Sequence, residues 1–183
     1  MLVLFALAAV SSTDVEARLS HMTALYEQVC LKAFPDDRAV ETLMTEQGAR
    51  AMPPEEVKVT MRDDPARGWE LKDGNGTVWI EYPPFHACSV RWNTPEIGDL
   101  HEYRMIAERY EKATGGYTVM DPYNTDYGDI HVHAVGEQRV LPNGTTEALF
   151  IFDQHITDSK RRAAGETGFS LRFVHQYHLP DSK

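Results

Sequence analysis

Residues 68–82 read GWELKDGNGTVWIEY and carry the clearest structural signal in the chain. Two strand-like runs, 68–72 and 78–82, flank the segment 73–76, which contains two glycines and an asparagine. These residue types accept the positive φ angles of a tight turn, so the pattern predicts a β-hairpin. Pro83 and Pro84 follow and end the second strand.

Strand patterns continue after the hairpin. A third strand is predicted over 86–92, and three later strands over 129–138, 148–157 and 169–178, with a short strand over 117–120. Turn sequences separate the late strands, as expected for antiparallel neighbours.

Three other segments show helical periodicity. Apolar residues recur at helical spacing over 21–33, and a shorter helix is predicted over 36–48, capped by an aspartate and ended by a glycine. The longest helix is predicted over 94–115, because Thr94 suits an N-cap and Pro95 suits the first helical position.

The order of these elements predicts an α+β fold, with one antiparallel β-sheet and helices packed on one face. The strand–helix–strand alternation that builds parallel sheets does not occur in the sequence. A helical part followed by three strands occurs twice, which suggests two α-βββ halves, although no residue-level repeat accompanies this order.

The composition restricts the function. The 183 residues include 28 acidic and 18 basic side chains, for a formal net charge of −10. Nucleic-acid binding needs a cationic surface, so we expect no nucleic-acid partner. The dense basic cluster Lys160-Arg161-Arg162 falls in a turn-like stretch and is interpreted as solvated. The length and the hydrophobic fraction of 42% indicate one globular domain.

The N-terminus differs from the rest of the chain. Residues 1–10 form a continuous apolar run, which suits a signal peptide and is too short to cross a bilayer. Small residues allow cleavage after Ser12 or Ala17. We therefore expect a leader over 1–20, a single domain over 21–183, no membrane span after cleavage, and a periplasmic or secreted protein. Because no Lys or Arg precedes the run, a buried first helix or strand is the alternative.

The two cysteines, Cys30 and Cys88, are far apart in sequence and lack the C-x-x-C spacing of zinc or redox sites. In an oxidising compartment a disulfide between them is expected. Two buried, unpaired cysteines are the alternative.

The region around the cysteines resembles small secreted proteins of alphaproteobacteria that carry no assigned function. The resemblance covers residues 22–92 and rests on Cys30 followed by Phe34-Pro35, on the pair Gly68-Trp69, and on the strand 84–90. It implies export and a Cys30–Cys88 pair. It carries no catalytic residue to this chain.

Histidines provide the main candidates for chemistry, since the sequence contains no G-x-S-x-G elbow, P-loop or Rossmann glycine pattern. His131 and His133 form an H-x-H pair whose rings point to one face of a strand. His155, His175, His178 or Asp129 could supply a third ligand for Zn²⁺ or Cu²⁺. His178 falls on the polar side of its strand and can join the pair, whereas His175 falls on the core side. The alternative is that His131 and His133 are solvated strand residues, opposite the apolar positions Ile130, Val132 and Ala134.

A polar, tyrosine-rich loop is predicted over 121–128. Tyr123 and Tyr127 are its candidate ligand-binding residues, because tyrosine rings are rigid and amphipathic. A surface loop with packed tyrosines is the alternative interpretation.

Two functional hypotheses follow from the sequence. The first is a non-enzymatic exported domain, without a cofactor, that binds a protein or a small ligand. The second is a metal-binding protein or metal-dependent hydrolase centred on the His131/His133 strand. A third ligand near that pair favours the second hypothesis, and exposed aromatic side chains favour the first.

Overall fold

The computed structural model describes residues 12–61, 64–94, 97–164 and 170–180. The helices are α1 (Ser12–Tyr26), α2 (Asp37–Glu46), α3 (Pro54–Met61), α4 (His101–Thr114) and α5 (Ser159–Ala163). A π-helical segment, Glu27–Ala33, continues α1 without a break. The strands are β1 (Arg50–Ala51), β2 (Ala66–Glu70), β3 (Gly76–Glu81), β4 (Phe85–Asn93), β5 (Thr118–Val119), β6 (Tyr123–Tyr127), β7 (Ile130–Val140), β8 (Thr146–Ile156) and β9 (Ser170–His178).

All the strand pairs are antiparallel and belong to one sheet, in the order β1-β2-β3-β4-β9-β8-β7-β5, with β6 also paired to β7. The predicted α+β class and antiparallel sheet are confirmed. The two α-βββ halves are visible in the topology, because β2-β3-β4 and β7-β8-β9 join through their last strands, β4 and β9. Among the described strands, most neighbours in sequence pair with each other, β5 and β6 both pair with β7, and β4–β9 is the pairing most distant along the chain.

The main core lies between the sheet and the helices α1, α2 and α4. On the side of the sheet that faces these helices, the strand register aligns six apolar residues in one row across six strands: Trp69, Val78, Val90, Phe173, Ile151 and Val135. The facing helices contribute Met22, Tyr26, Val40, Met44 and Tyr103. We call this side of the sheet the helix face.

The hairpin at residues 66–81 pairs Gly68 with Trp79, and the indole ring covers the glycine. A Cβ atom at position 68 would lie 2.7 Å from the ring, so a residue with a side chain could not sit there without displacing it. The Gly68-Trp79 contact explains why the hairpin signal contains a glycine outside the turn.

The helix boundaries differ from the predictions at three places. Helix α1 begins at Ser12, not near His21, and it buries Val15 and Leu19. Helix α4 begins at His101 rather than at 94–95, because the positive φ of Gly98 interrupts a helical path. Helix α3 was not anticipated, since none of its residues is buried and it has little apolar periodicity.

The predicted leader, 1–20, overlaps α1 from Ser12 onward, and residues 1–11 lie outside the described residues. The leader and its cleavage site stay predictions. In the part of the chain that the structure describes, no helix is long and apolar enough to cross a membrane.

Cys30 and Cys88 form a disulfide, with their Cα atoms 5.3 Å apart. Both cysteines are fully buried in the main core. The bond joins the π-helical segment to β4, and the two cysteines are separated by 58 residues in sequence. It therefore fixes the first helix against the middle of the sheet.

Removing the disulfide should destabilise the fold strongly. For a loop of this length, the chain-entropy model predicts that Cys30→Ala/Cys88→Ala lowers the free energy of unfolding by about 4 kcal/mol. Urea unfolding of the variant and of the oxidised protein measures this difference. A loss below about 1 kcal/mol would show that the disulfide does little to hold the helix on the sheet.

Candidate functional site

His131 and His133 lie on β7 with their rings on the same face, which is the helix face. Their side chains remain partly exposed on this face, at 29% and 36%, opposite His155 and Asp153 of β8. On the other face of β7, Val132 and Ala134 are buried. The alternation of polar and apolar residues along β7 therefore assigned the histidines and the apolar residues to opposite faces correctly. It could not show which of the two faces meets the helices.

Each histidine of the pair is bound to a carboxylate. His131 Nδ1 lies 2.7 Å from Oδ1 of Asp126 on β6, and His133 Nδ1 lies 2.8 Å from Oδ2 of Asp153 on β8. A carboxylate oxygen accepts, so each Nδ1 donates. Nε2 of each ring is the atom that remains as a candidate metal ligand.

His178 does not join this pair. It lies on the opposite face of the sheet at the far end of β8, beside Thr146, and it stacks on Phe85 with ring centroids 4.4 Å apart. Among the described residues, no group of three or more His, Cys, Asp or Glu side chains is arranged to hold a metal ion.

Tyr123 and Tyr127 lie on a strand, β6, and not in the predicted loop. The loop prediction was wrong at its centre because β6 pairs with β7, a contact that local composition does not reveal. The two hydroxyl groups are 3.0 Å apart, and the side chains are 49% and 62% exposed. Register with Ala134 and Ile130 places both rings on the face away from the helices. Their role in binding stays a prediction.

A buried polar network on the helix face centres on Glu147 of β8. Its Oε1 accepts hydrogen bonds from Tyr110 Oη at 2.8 Å, Tyr177 Oη at 3.0 Å and His175 Nε2 at 2.8 Å. Its Oε2 accepts from Nε of Arg139 at 2.6 Å. The side chains of Glu147 and His175 are both fully buried. The network therefore satisfies a charge that would otherwise be costly to bury.

Both ring nitrogens of His175 donate hydrogen bonds in this arrangement. Nδ1 lies 2.6 Å from the backbone carbonyl oxygen of Cys30, which can only accept, and Nε2 bonds the carboxylate of Glu147. The ring is thus held between the disulfide-bearing helix and β8, with an acceptor at each nitrogen. It connects the Glu147 network to the disulfide.

Burial by itself raises the pKa of Glu147, but hydrogen bonds from His175, Tyr110 and Arg139 outweigh burial and lower the pKa to about 2. Burial and the negative charge of Glu147 raise the pKa of Tyr177 to about 12, so its hydroxyl stays protonated and donates. Glu147 is consequently ionised throughout the neutral range.

A cleft of about 400 Å³ lies beside this network, between α4 and the strands β5, β7 and β8. The segment 120–122, which connects β5 to β6, forms part of its outer wall. Its apolar lining includes Tyr103, Ala107, Val119, Val135, Leu149 and Ile151. Its volume is in the range of small-molecule sites, which combine apolar walls with a few polar groups.

Two carboxyl groups meet in the cleft: Glu111 on α4 and Glu137 on β7. Burial, a hydrogen bond with Glu137, and the negative charges of Glu137 and Glu108 raise the pKa of Glu111 to about 7. The Oε1 atom of Glu111 is buried and receives no hydrogen bond from the described residues. The negative charge of Glu137 therefore favours the protonated form of Glu111 near neutral pH.

The sequence reasoning missed Glu111, Glu137 and Glu147. Each is a single glutamate with no motif around it, and their positions converge only through α4 and the β7–β8 register. One available signal was Glu147 within the apolar strand 146–156, where a charged residue requires a partner.

Glu147→Gln should lower the free energy of unfolding by about 3–5 kcal/mol at neutral pH, because Arg139 loses its counter-charge and His175 loses a charged hydrogen-bond acceptor. The pKa of Glu147 is lowered from 4.5 to about 2 in the folded protein, which contributes about 3 kcal/mol to the free energy of unfolding above pH 4.5. This contribution disappears as the pH falls toward 2, so the difference between wild type and variant should shrink there. Urea unfolding across this pH range measures it. Glu102→Gln, on the exposed side of α4, is the control, and a pH-independent difference would contradict the account.

Glu111→Gln should stabilise the protein at alkaline pH. The pKa of Glu111 is raised from 4.5 to about 7 in the folded protein, so folding favours the protonated carboxyl group. The wild-type protein therefore keeps its full stability below pH 4.5 and loses part of it as the pH rises through 7. We expect the variant to be more stable than wild type by about 1 kcal/mol at about pH 8, after allowing for solvent screening, and equal at about pH 4. Thermal unfolding at the two pH values measures the difference, and Glu102→Gln should show no such pH dependence.

Comparisons with known proteins add no family to these observations: no family model, no curated protein and no solved structure matches the chain. A functional assignment therefore depends on the geometry of the cleft and on the chemistry of its lining.

Proposed function

We propose that this protein is an exported, non-enzymatic binding domain that takes a small, partly apolar ligand in the cleft between α4 and the strands β5, β7 and β8. The observation that carries the proposal is a cleft of about 400 Å³ with apolar walls and a pair of interacting carboxyl groups. Apolar walls supply affinity, and a few polar groups orient a ligand. A perturbed pKa in a cleft is a recognised mark of a functional site.

Export is supported by the disulfide between Cys30 and Cys88. Structural disulfides persist in the periplasm and outside the cell and are rare in reducing compartments. We therefore propose a periplasmic or secreted location, in agreement with the apolar N-terminal run at 1–10.

The lining favours binding over catalysis. Paired carboxyl groups can act as a general acid and base, but no serine, cysteine or histidine is among the described residues that line the cleft. The carboxyl pair then has a simpler role, as a polar anchor at one end of an apolar site.

The outer rim of the cleft provides a test, because Val119 lines it and is 81% exposed. Nuclear magnetic resonance titration with 1-octanol and with octylamine should shift backbone signals in α4, β5, β7 and β8, with dissociation constants of about 0.1–1 mM. Val119→Trp should abolish these shifts, since an indole ring at the rim occupies the entrance.

Val140→Trp is the matched control. Val140 is a strand valine of similar exposure, 71%, and it lies outside the cleft. This variant should bind both probes as wild type does. Absence of binding by either probe, or binding that Val119→Trp leaves unchanged, would refute the proposed function.

A further inference from the structure

We infer that a second pocket, between α3 and the strands β3 and β4, binds a small carboxylate through the guanidinium group of Arg91. The pocket has a volume of about 290 Å³. Thr77 and Arg91 are cross-strand neighbours in its lining, and they alternate with Val78 and Val90 of the helix face. The pocket therefore lies on the sheet face opposite the α4 cleft, and the inference goes beyond the proposed function.

Arg91 is a largely buried charge without a partner. Its guanidinium makes no hydrogen bond or ion pair with the described residues. Of its three nitrogens, only Nε is both fully buried and unbonded, so Nη1 and Nη2 are the atoms that stay accessible. Register puts Arg91 in one row with Glu70 and Thr77, which also line the pocket. Because buried charges in folded proteins are normally paired, such a group indicates a position where an external anion completes the pairing.

The charges around Arg91 do not compensate it. Its neighbour across the β4–β9 pairing is a second arginine, Arg172, and the carboxylate of Glu81 bonds Arg172. Burial and the positive charge of Arg172 lower the pKa of Arg91 to about 10, although Glu81 acts in the opposite direction. Arg91 therefore stays charged at neutral pH, in surroundings that disfavour its charge.

The lining of the pocket favours an anion with a single negative charge. Among the described lining residues, Glu70 carries the opposite charge to Arg91. Glu70 is already paired, since Nη2 of Arg50 lies 2.7 Å from its Oε2. One positive charge is thus left in the pocket. The net charge of −10 on the whole chain disfavours a dianion.

The hydrogen-bond donors of the pocket match a carboxylate. A guanidinium group bonds a planar carboxylate through two parallel N–H groups. Thr77 adds a hydroxyl group: its Oγ1 accepts a hydrogen bond from Nε1 of Trp79 at 2.9 Å, so its own O–H remains to donate. Met52 belongs to the apolar part of the lining. The pocket therefore suits a carboxylate attached to a short apolar body.

Benzoate, benzamide and inorganic phosphate test this chemistry. Benzamide has the shape of benzoate without its charge, and phosphate has charge without an apolar body. In nuclear magnetic resonance titrations at about pH 7, benzoate should shift backbone signals of α3, β3 and β4. It should bind at least about tenfold more tightly than each of the other two probes. Shifts confined to α4 and its cleft would place the carboxylate elsewhere and overturn the inference.

Three variants test the role of the guanidinium group. Arg91→Met should abolish benzoate binding, because it removes the charge and keeps an unbranched apolar stem. Arg91→Lys keeps the charge without the planar fork and should weaken binding at least about fivefold. Arg162→Met is the matched control, since Arg162 is exposed on α5 and outside the pocket, and it should bind benzoate as wild type does.

Thermal unfolding shows whether Arg91→Met is folded. Without ligand, this variant should unfold at the wild-type temperature or above it, because an unpaired charge no longer has to be buried. Benzoate in excess should raise the unfolding temperature of wild type and not that of the variant. A variant that unfolds at a lower temperature than wild type would show that Arg91 is satisfied within the fold, and would overturn the inference.

The probes also separate this inference from the proposed function. Equal binding of benzamide and benzoate would overturn the role of charge, and tighter binding of phosphate would overturn the choice of a carboxylate. Absence of benzoate binding would overturn the site itself. None of these outcomes bears on the α4 cleft, because it lies on the other face of the sheet.

Discussion

The carboxylate of Glu147 accepts hydrogen bonds from three separate elements: Tyr110 on α4, Arg139 on β7, and His175 and Tyr177 on β9. The other nitrogen of the His175 ring reaches the carbonyl of Cys30, next to the disulfide. One ionised group thus connects α4 and, through His175, the disulfide-bearing π-helical segment to the strands β7, β8 and β9. Because each partner would be left buried and unpaired without it, the position of α4 on the sheet depends on this network.

The cleft is a consequence of this attachment. Glu111 follows Tyr110 on α4, and Glu137 precedes Arg139 by two residues on the same face of β7, so the bonds that hold the helix also set the distance between the two cleft carboxyl groups. Arg139 further secures the end of α4 by donating from Nη1 to the carbonyls of Thr114 and Gly115. A rigid, fully paired network therefore lies beside the cleft that contains Glu111 and Glu137.

Most of the fold could be predicted from the chain. The hairpin and the late strands were found because period-two alternation and turn residues are local patterns. Helix α3 and strand β6 were missed, since both elements are largely exposed and are defined by their neighbours. The histidine prediction was limited in the same way, because local patterns do not show which strands lie next to one another. The shared face of His131 and His133 follows from the period of a strand, whereas the separation of His178 follows from the register of three strands.

The sequence by itself determined the α+β class, the antiparallel sheet, the duplicated order of elements and the acidic charge, because these properties depend on composition and on residues close together in the chain. The sequence also predicted the disulfide between Cys30 and Cys88, which the structure confirms. Only the tertiary structure decided which histidine contacts form, which face of β7 meets the helices, and that Glu111 and Glu137 share one cleft. The physical reason is distance along the chain. Residues 111 and 137 come together only when α4 packs on β7, and no pattern within either segment encodes that contact.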